Sequence, residues 1–182
     1  MDRSNHYEVA FEAYLRERCI CYVATNETRR SVIGDRLVKS LDFIVYGSRG
    51  ARLILDIKGR RFPGGSPEKP RRVWESWSSE DDVAGLEAWV ERFGPGYRAL
   101  LVFAYHLSED VELGDDDLDH FLWQEKRYLF RAVDVKKYRK HVRVRSPKWK
   151  TLALPVASFR EIVKPVRHFI DGPAMVPDEC PF

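Results

Sequence analysis

Between residues 52 and 107 the chain reads as two apolar runs separated by an amphipathic stripe, and few folds accept that order. Arg52–Lys58 holds Leu53, Ile54, Leu55 and Ile57, and Tyr97–Leu107 runs from Ala99 to Ala104 without a polar residue. Between them Ser79 is a natural helix N-cap, and Glu80, Asp81 and Asp82 suit the positive end of a helix. Val83, Leu86, Trp89, Val90 and Phe93 then recur at helical spacing, and Gly94 ends the pattern. Near-continuous apolar strands joined through a helix predict a sheet covered on both faces, paired in parallel by a right-handed crossover.

The flanking segments extend that α/β reading. Residues 5–18 predict a helix, with Asn5 as N-cap, Glu8 in capping-box position, and Tyr7, Phe11, Tyr14 and Leu15 on one face. Residues 20–25 read as a short strand and 26–39 as a loop or a turn of helix. Leu41–Tyr46 and Arg52–Lys58 form a hairpin around Ser48-Arg49-Gly50. Residues 59–72 are too rich in Gly and Pro for regular structure and read as a basic loop. Further on, Tyr128–Val133 and Trp149–Leu154 read as strands, Val135–His141 as a short basic helix and Ser158–Phe169 as a final helix. The expectation is one domain over 1–182, with a core at about 5–107, a basic C-terminal extension at about 108–170 and a loose tail at 171–182.

Composition narrows the class. With 44% hydrophobic and 32% charged residues the chain can bury a core and keep a polar surface. No apolar run approaches the ~20 residues that span a bilayer. Met1–His6 lacks the apolar core of a signal peptide, so a cytoplasmic location is expected. Cys19, Cys21 and Cys180 form no disulfide framework and no zinc spacing. The net charge of +3 conceals an asymmetry: residues 109–125 are acidic with no Lys or Arg, whereas 126–150 are basic with Asp134 as the lone acid. Such a distribution suggests a polyanionic partner, although a solvated helix face beside an acidic loop produces the same pattern.

The chemistry concentrates at Asp56-Ile57-Lys58. Residues i and i+2 of a strand share a face, so Asp56 and Lys58 project together while Leu53, Leu55 and Ile57 project oppositely. Asp42 interrupts the preceding strand in the same way, and a hairpin brings it near Asp56. Two adjacent carboxylates repel unless a cation lies between them. Oxygen ligands suit magnesium or manganese. A lysine beside such an ion can position a water or neutralise phosphate charge. The plain structural alternatives are an ion pair for Asp56 and Lys58 and a strand-end turn for Asp42.

This order of parts resembles the PD-(D/E)XK, or restriction-endonuclease-like, nuclease superfamily, and within it the archaeal-type Holliday-junction resolvases. The matching residues are Glu8 in His6-Tyr7-Glu8-Val9-Ala10-Phe11, Asp42 in Leu41-Asp42-Phe43, and Asp56-Ile57-Lys58. The resemblance spans about residues 5–107; Leu41 stands where the family often has proline, and Asp56 where Glu is more usual. It implies a mixed central sheet flanked by helices with an α+β C-terminal extension. It further implies a Mg2+- or Mn2+-dependent phosphodiesterase, an endonuclease acting on nucleic acid, DNA in the first instance, and a homodimer. Glu8, Asp42, Asp56 and Lys58 would be catalytic, with Glu8, Asp42, Asp56 and the carbonyl of Ile57 on the metal. Glu12, one turn from Glu8, is the alternative helical acid, and its plain role is a pair with Arg16.

Arg60, Arg61, Arg71 and Arg72 follow the metal strand, and Lys137, Arg139, Lys140, Arg143, Arg145 and Lys148 lie among aromatics; both sets are candidate nucleic-acid contacts. Trp74 or Trp77 could stack on unpaired bases, although core packing for at least one is the simpler reading. His6 and His106 read as surface residues, and Glu80 as an outer contact explained by its helix-end position. Two other functions remain compatible: a nucleic-acid-binding accessory protein that does not cut, and a protein-interaction domain using the acidic stretch 109–125.

Overall fold

A computed structural model describes residues 5–25, 31–33, 36–66, 68–112 and 120–172. Helix α1 (His6–Glu17) starts where Asn5, in extended backbone, accepts the Tyr7 amide at 3.2 Å. It buries Phe11, Tyr14 and Leu15. Strand β1 (Cys21–Ala24) follows, then a small antiparallel hairpin of β2 (Ser31–Ile33) and β3 (Arg36–Val38). That hairpin replaces the expected loop or helical turn.

Strand β4 (Phe43–Tyr46) turns through Ser48–Gly50 into β5 (Arg52–Phe62). The turn holds Arg49 at φ 56°, and β4 and β5 pair antiparallel. Strand β5 runs past Lys58 into the stretch expected to be irregular, because the equally long β9 (Tyr97–Leu107) supplies a parallel partner as far as Phe62↔Leu107. A second small hairpin, β6 (Gly64–Ser66) with β7 (Lys69–Arg71), occupies the rest of that stretch. Short β8 (Ser78–Ser79) leads into α2 (Glu80–Phe93). Helix α2 begins with a full capping box: Ser79 Oγ accepts the Asp82 amide at 3.1 Å and Asp82 Oδ2 accepts the Ser79 amide at 2.9 Å. The expected crossover unit from β5 through α2 to β9 is therefore present.

Beyond it come β10 (His120–Trp123), β11 (Lys126–Asp134), α3 (Val135–His141), β12 (Arg143–Ser146), β13 (Thr151–Ala153), α4 (Val156–Ile162), β14 (Lys164–Pro165) and α5 (Val166–Ile170). The single helix expected at 158–169 is two. Pro165 has no amide to donate and biases Lys164 away from helix, so Lys164-Pro165 pairs with Arg131 and Ala132 instead. The tail from 173 and the acidic residues 113–119 lie outside the described residues.

The main sheet runs β1-β4-β5-β9-β11-β10, with β14 on β11; only β5–β9 is parallel. It is a mixed central sheet flanked by helices. Period-2 alternation divides its side chains between two buried clusters. Leu53, Leu55, Ile57, Leu100 and Val102 pack with Phe11 and Tyr14 of α1 and Phe169 of α5. Ile54, Leu101, Phe103 and Tyr105 pack with Val83 and Leu86 of α2, Tyr138 of α3 and Ile162 of α4. A separate sheet, β12-β13-β8, ties the basic segment to the start of α2. Among the described residues no helix is long and apolar enough to cross a membrane.

Candidate active site

Asp56 and Lys58 alternate with Leu55 and Ile57, so both face the α2 side of the sheet. Asp42 stands just before β4. The regular register ends at Phe43 opposite Leu55, and Asp42 continues beside β5 just beyond it. The Asp42 amide donates to Leu55 O and its carbonyl accepts the Thr25 amide, both at 2.9 Å. Its carboxylate accepts the amide of Ile57 at 2.5 Å. An aspartate side chain thus binds a main-chain amide of β5 where the two strands part. Asp42 is 1% exposed and Asp56 3%.

Lys58 closes this group from one side. Its Nζ lies 2.6 Å from Asp56 Oδ2 and 3.1 Å from Asp82 Oδ2. Asp82 in turn takes Ser78 Oγ at 2.9 Å and pairs with Lys39. Two acids share one buried ammonium, and their environments differ. Burial opposes the charge of Asp82, but Lys58, Lys39 and the Ser79 amide together hold its carboxyl well below the ordinary carboxylate range. Asp56 has fewer such partners; burial pushes its carboxyl up, with Lys58 only partly offsetting, and the negative charge of Asp82 adds to the rise. Burial works against the ammonium of Lys58 too, but Asp56 and Asp82 hold its pKa above the usual lysine value.

Glu8 lies in α1, on the opposite face of the sheet, buried, with Asn5 Nδ2 2.5 Å from its Oε1. Glu12 is engaged by Arg16 at 2.7 Å and Tyr22 Oη at 2.8 Å, which is the plain role foreseen for it. Asp42, Asp56 and Lys58 come together, and Glu8 is carried by α1. Among the described residues no three His, Cys, Asp or Glu side chains gather where one ion could bind. The donor set still suits a hard cation, because magnesium is held through one or two carboxylates with water or phosphate completing its shell. Asp42 and Asp56, with the carbonyl of Ile57 next to Asp56 in the chain, supply that minimum.

Two participants escaped sequence reading. Asp82 was visible only as one of three acids at a helix start, and Lys39 carried no signal at all. Glu80, weighed as an outer contact, is exposed. His6 and His106 are partly buried: His6 Nδ1 lies 2.8 Å from Tyr128 Oη and its ring 5.7 Å from that of His106. Burial, with Lys126 and, for His106, His6 and Arg61 adding to it, lowers the pKa of both.

The candidate nucleic-acid residues divide. Arg60 is 8% exposed, donates to the carbonyls of Gly59 and Trp77, and lies 3.9 Å over the Trp77 ring. Its guanidinium is spent inside the protein. Arg71 pairs with Glu75 at 3.0 Å, Arg72 with Asp110 at 3.7 Å and Arg139 with Glu87 at 2.7 Å. Arg61, Lys137, Lys140, Arg143, Arg145 and Lys148 are exposed, and Arg145 reaches over Trp77 at 5.0 Å. Trp74 stacks on Phe62 with centroids 3.7 Å apart, so it is packed inside.

No family model matches the chain, and no curated protein does. Among solved structures the chain is similar to Hjc, a Holliday junction resolvase from the archaeal hyperthermophile Archaeoglobus fulgidus, with 13% identity and a TM-score of 0.51 over 88% of this chain and 94% of that one. At that identity the likeness is one of fold alone, a mixed sheet flanked by helices.

Proposed function

We propose that the chain is a metal-dependent nuclease of the PD-(D/E)XK type, hydrolysing phosphodiester bonds of nucleic acid, DNA in the first instance. The observation that carries this is the buried meeting of Asp42, Asp56 and Lys58 across β4 and β5. The resolvase-like fold supports it, and so does the exposed basic segment 136–150. Residues 1–182 are read as one domain, because β10, β11 and β14 join the sheet that holds β4 and β5.

Asp42, Asp56 and the Ile57 carbonyl would hold magnesium or manganese, with Glu8 as the further acid that the family pattern supplies. Bound there, the ion would polarise the phosphodiester and lower the pKa of a coordinated water. Asp42 is oriented for its part by the Ile57 amide. Lys58 stays protonated, held by Asp56 and Asp82, and offers its ammonium to the negative charge that develops on phosphorus oxygens. Burial keeps bulk water away and strengthens both interactions.

One observation favours a non-cutting nucleic-acid-binding protein instead: Asp56 already has a cation at 2.6 Å in Lys58. Cleavage decides between the two. Plasmid, linear duplex, branched and single-stranded substrates are incubated with Mg2+ or Mn2+ and wild type, Asp56→Ala or Lys58→Ala. The nuclease reading expects cutting of at least one substrate that needs the ion and falls about a hundredfold or more in each variant. No cutting, or cutting untouched by both changes, removes it.

A further inference from the structure

Trp149 is the one tryptophan of the chain that stands in solvent, 71% exposed. Large aromatic side chains ordinarily gain by burial, and this one is held away from it by a well-bonded turn. The Trp149 amide donates to Ser146 Oγ at 3.4 Å and the Lys150 amide to Pro147 O at 3.3 Å. Lys150 itself sits at φ 45°. Its carbonyl accepts the amide of Glu80, the first residue of α2, at 2.9 Å. The turn is therefore pinned between β12, β13 and the start of α2. Two residues further along α2, Asp82 meets Lys58 at 3.1 Å. The exposed indole thus stands next to the helix end that reaches the candidate active site.

Its surroundings are cationic. Lys148 Nζ lies 5.5 Å from the ring centroid, and Arg143, Arg145 and Lys150 are exposed on the same strand and turn. A solvent-facing ring among lysines and arginines suits a base with its phosphate better than an apolar protein surface, because interface cores are depleted of lysine. Resting on the reading of this chain as a nucleic-acid enzyme, we propose that Trp149 is a stacking platform for an unpaired base beside the scissile bond, so that substrates with single-stranded character are preferred.

The test is binding, in EDTA, of a labelled single-stranded oligodeoxynucleotide and of the blunt duplex of the same sequence, followed by fluorescence anisotropy. Stacking energies of this kind correspond to about tenfold or more in affinity. Trp149→Ala should lose that for the single strand and leave the duplex within about twofold, while Trp149→Phe retains most single-strand affinity. Lys148→Ala should weaken both probes alike, as a phosphate contact does. Equal losses for both probes in Trp149→Ala, an unchanged single-strand affinity as a protein-facing ring would produce, or a wild type that binds neither probe would each overturn the proposal. Since no metal is present, a protein that stacks in this assay but never cuts would sink the nuclease reading alone.

Discussion

At the scale of single residues, one lysine serves two acids, and the consequence is a pH signature. Asp82 has its folded-state pKa held below the unfolded value by Lys58 and Lys39 against the cost of burial. The sign follows: its charge stabilises the fold above the unfolded carboxyl value, and that contribution is lost as pH falls towards the depressed value. Asp82→Asn should therefore cost ~3 kcal/mol near neutrality, the scale of breaking a buried pair. In urea titrations at a series of pH values the gap to wild type should close on acidification. A gap independent of pH would mean that the charge of Asp82 contributes nothing. The legibility of these residues varied for physical reasons. Asp56 and Lys58 were readable because charges in an apolar strand need a cause. Asp82 was not, since an acid at a helix start already has a sufficient explanation in the helix dipole and the capping box. Arg60 misled for another reason: a long side chain can bury its stem and guanidinium against an aromatic ring as readily as reach a phosphate.

At the scale of elements, the seat of α1 on β5 depends on a residue with no side chain. A Cβ at Gly59 would stand 2.1 Å from the Tyr7 ring, and Gly59 directly follows Lys58. Gly59→Ala should destabilise by about 1–3 kcal/mol, the range for overpacking. In a Tyr7→Ala background the same change should be close to neutral, because the collision is gone; additivity in that double-mutant cycle would refute the contact. The long elements were legible for the same reason that they are stable. Strands β5 and β9 are covered on both faces, so Leu53–Leu55 and Ala99–Ala104 are unbroken apolar runs, and α2 has one buried stripe and a cap. The β2–β3 and β6–β7 hairpins were not legible, because strands of three residues are too short to show a period, and Gly64–Ser66 with Lys69–Arg71 is polar as well. The break between α4 and α5 was written in Pro165, whose neighbours carried a helical pattern strong enough to obscure it.

At the scale of the molecule, charge and fold combine into one account: a resolvase-like sheet carries a buried acid–lysine group, and a basic sheet edge adjoins it. If Arg143 and Arg145 meet phosphates, changing both to Ala should lower the slope of log affinity for duplex DNA against log salt by about 2. Arg139→Ala should leave that slope nearly unchanged, since its guanidinium is already bound to Glu87 at 3.1 and 2.7 Å. Equal effects of the two sets would dissolve the distinction between committed and available cations. The central claim, however, is that Asp42 and Asp56 together are a seat for a divalent ion, and Mn2+ binding followed by electron paramagnetic resonance, with no nucleic acid present, reads that directly. The account predicts that wild type binds Mn2+ and that Asp42→Asn and Asp56→Asn each weaken it by tenfold or more, in the range of about 10–100-fold seen when a metal site loses a supporting group. A wild type that leaves Mn2+ free, or binding that both substitutions leave intact, would contradict it.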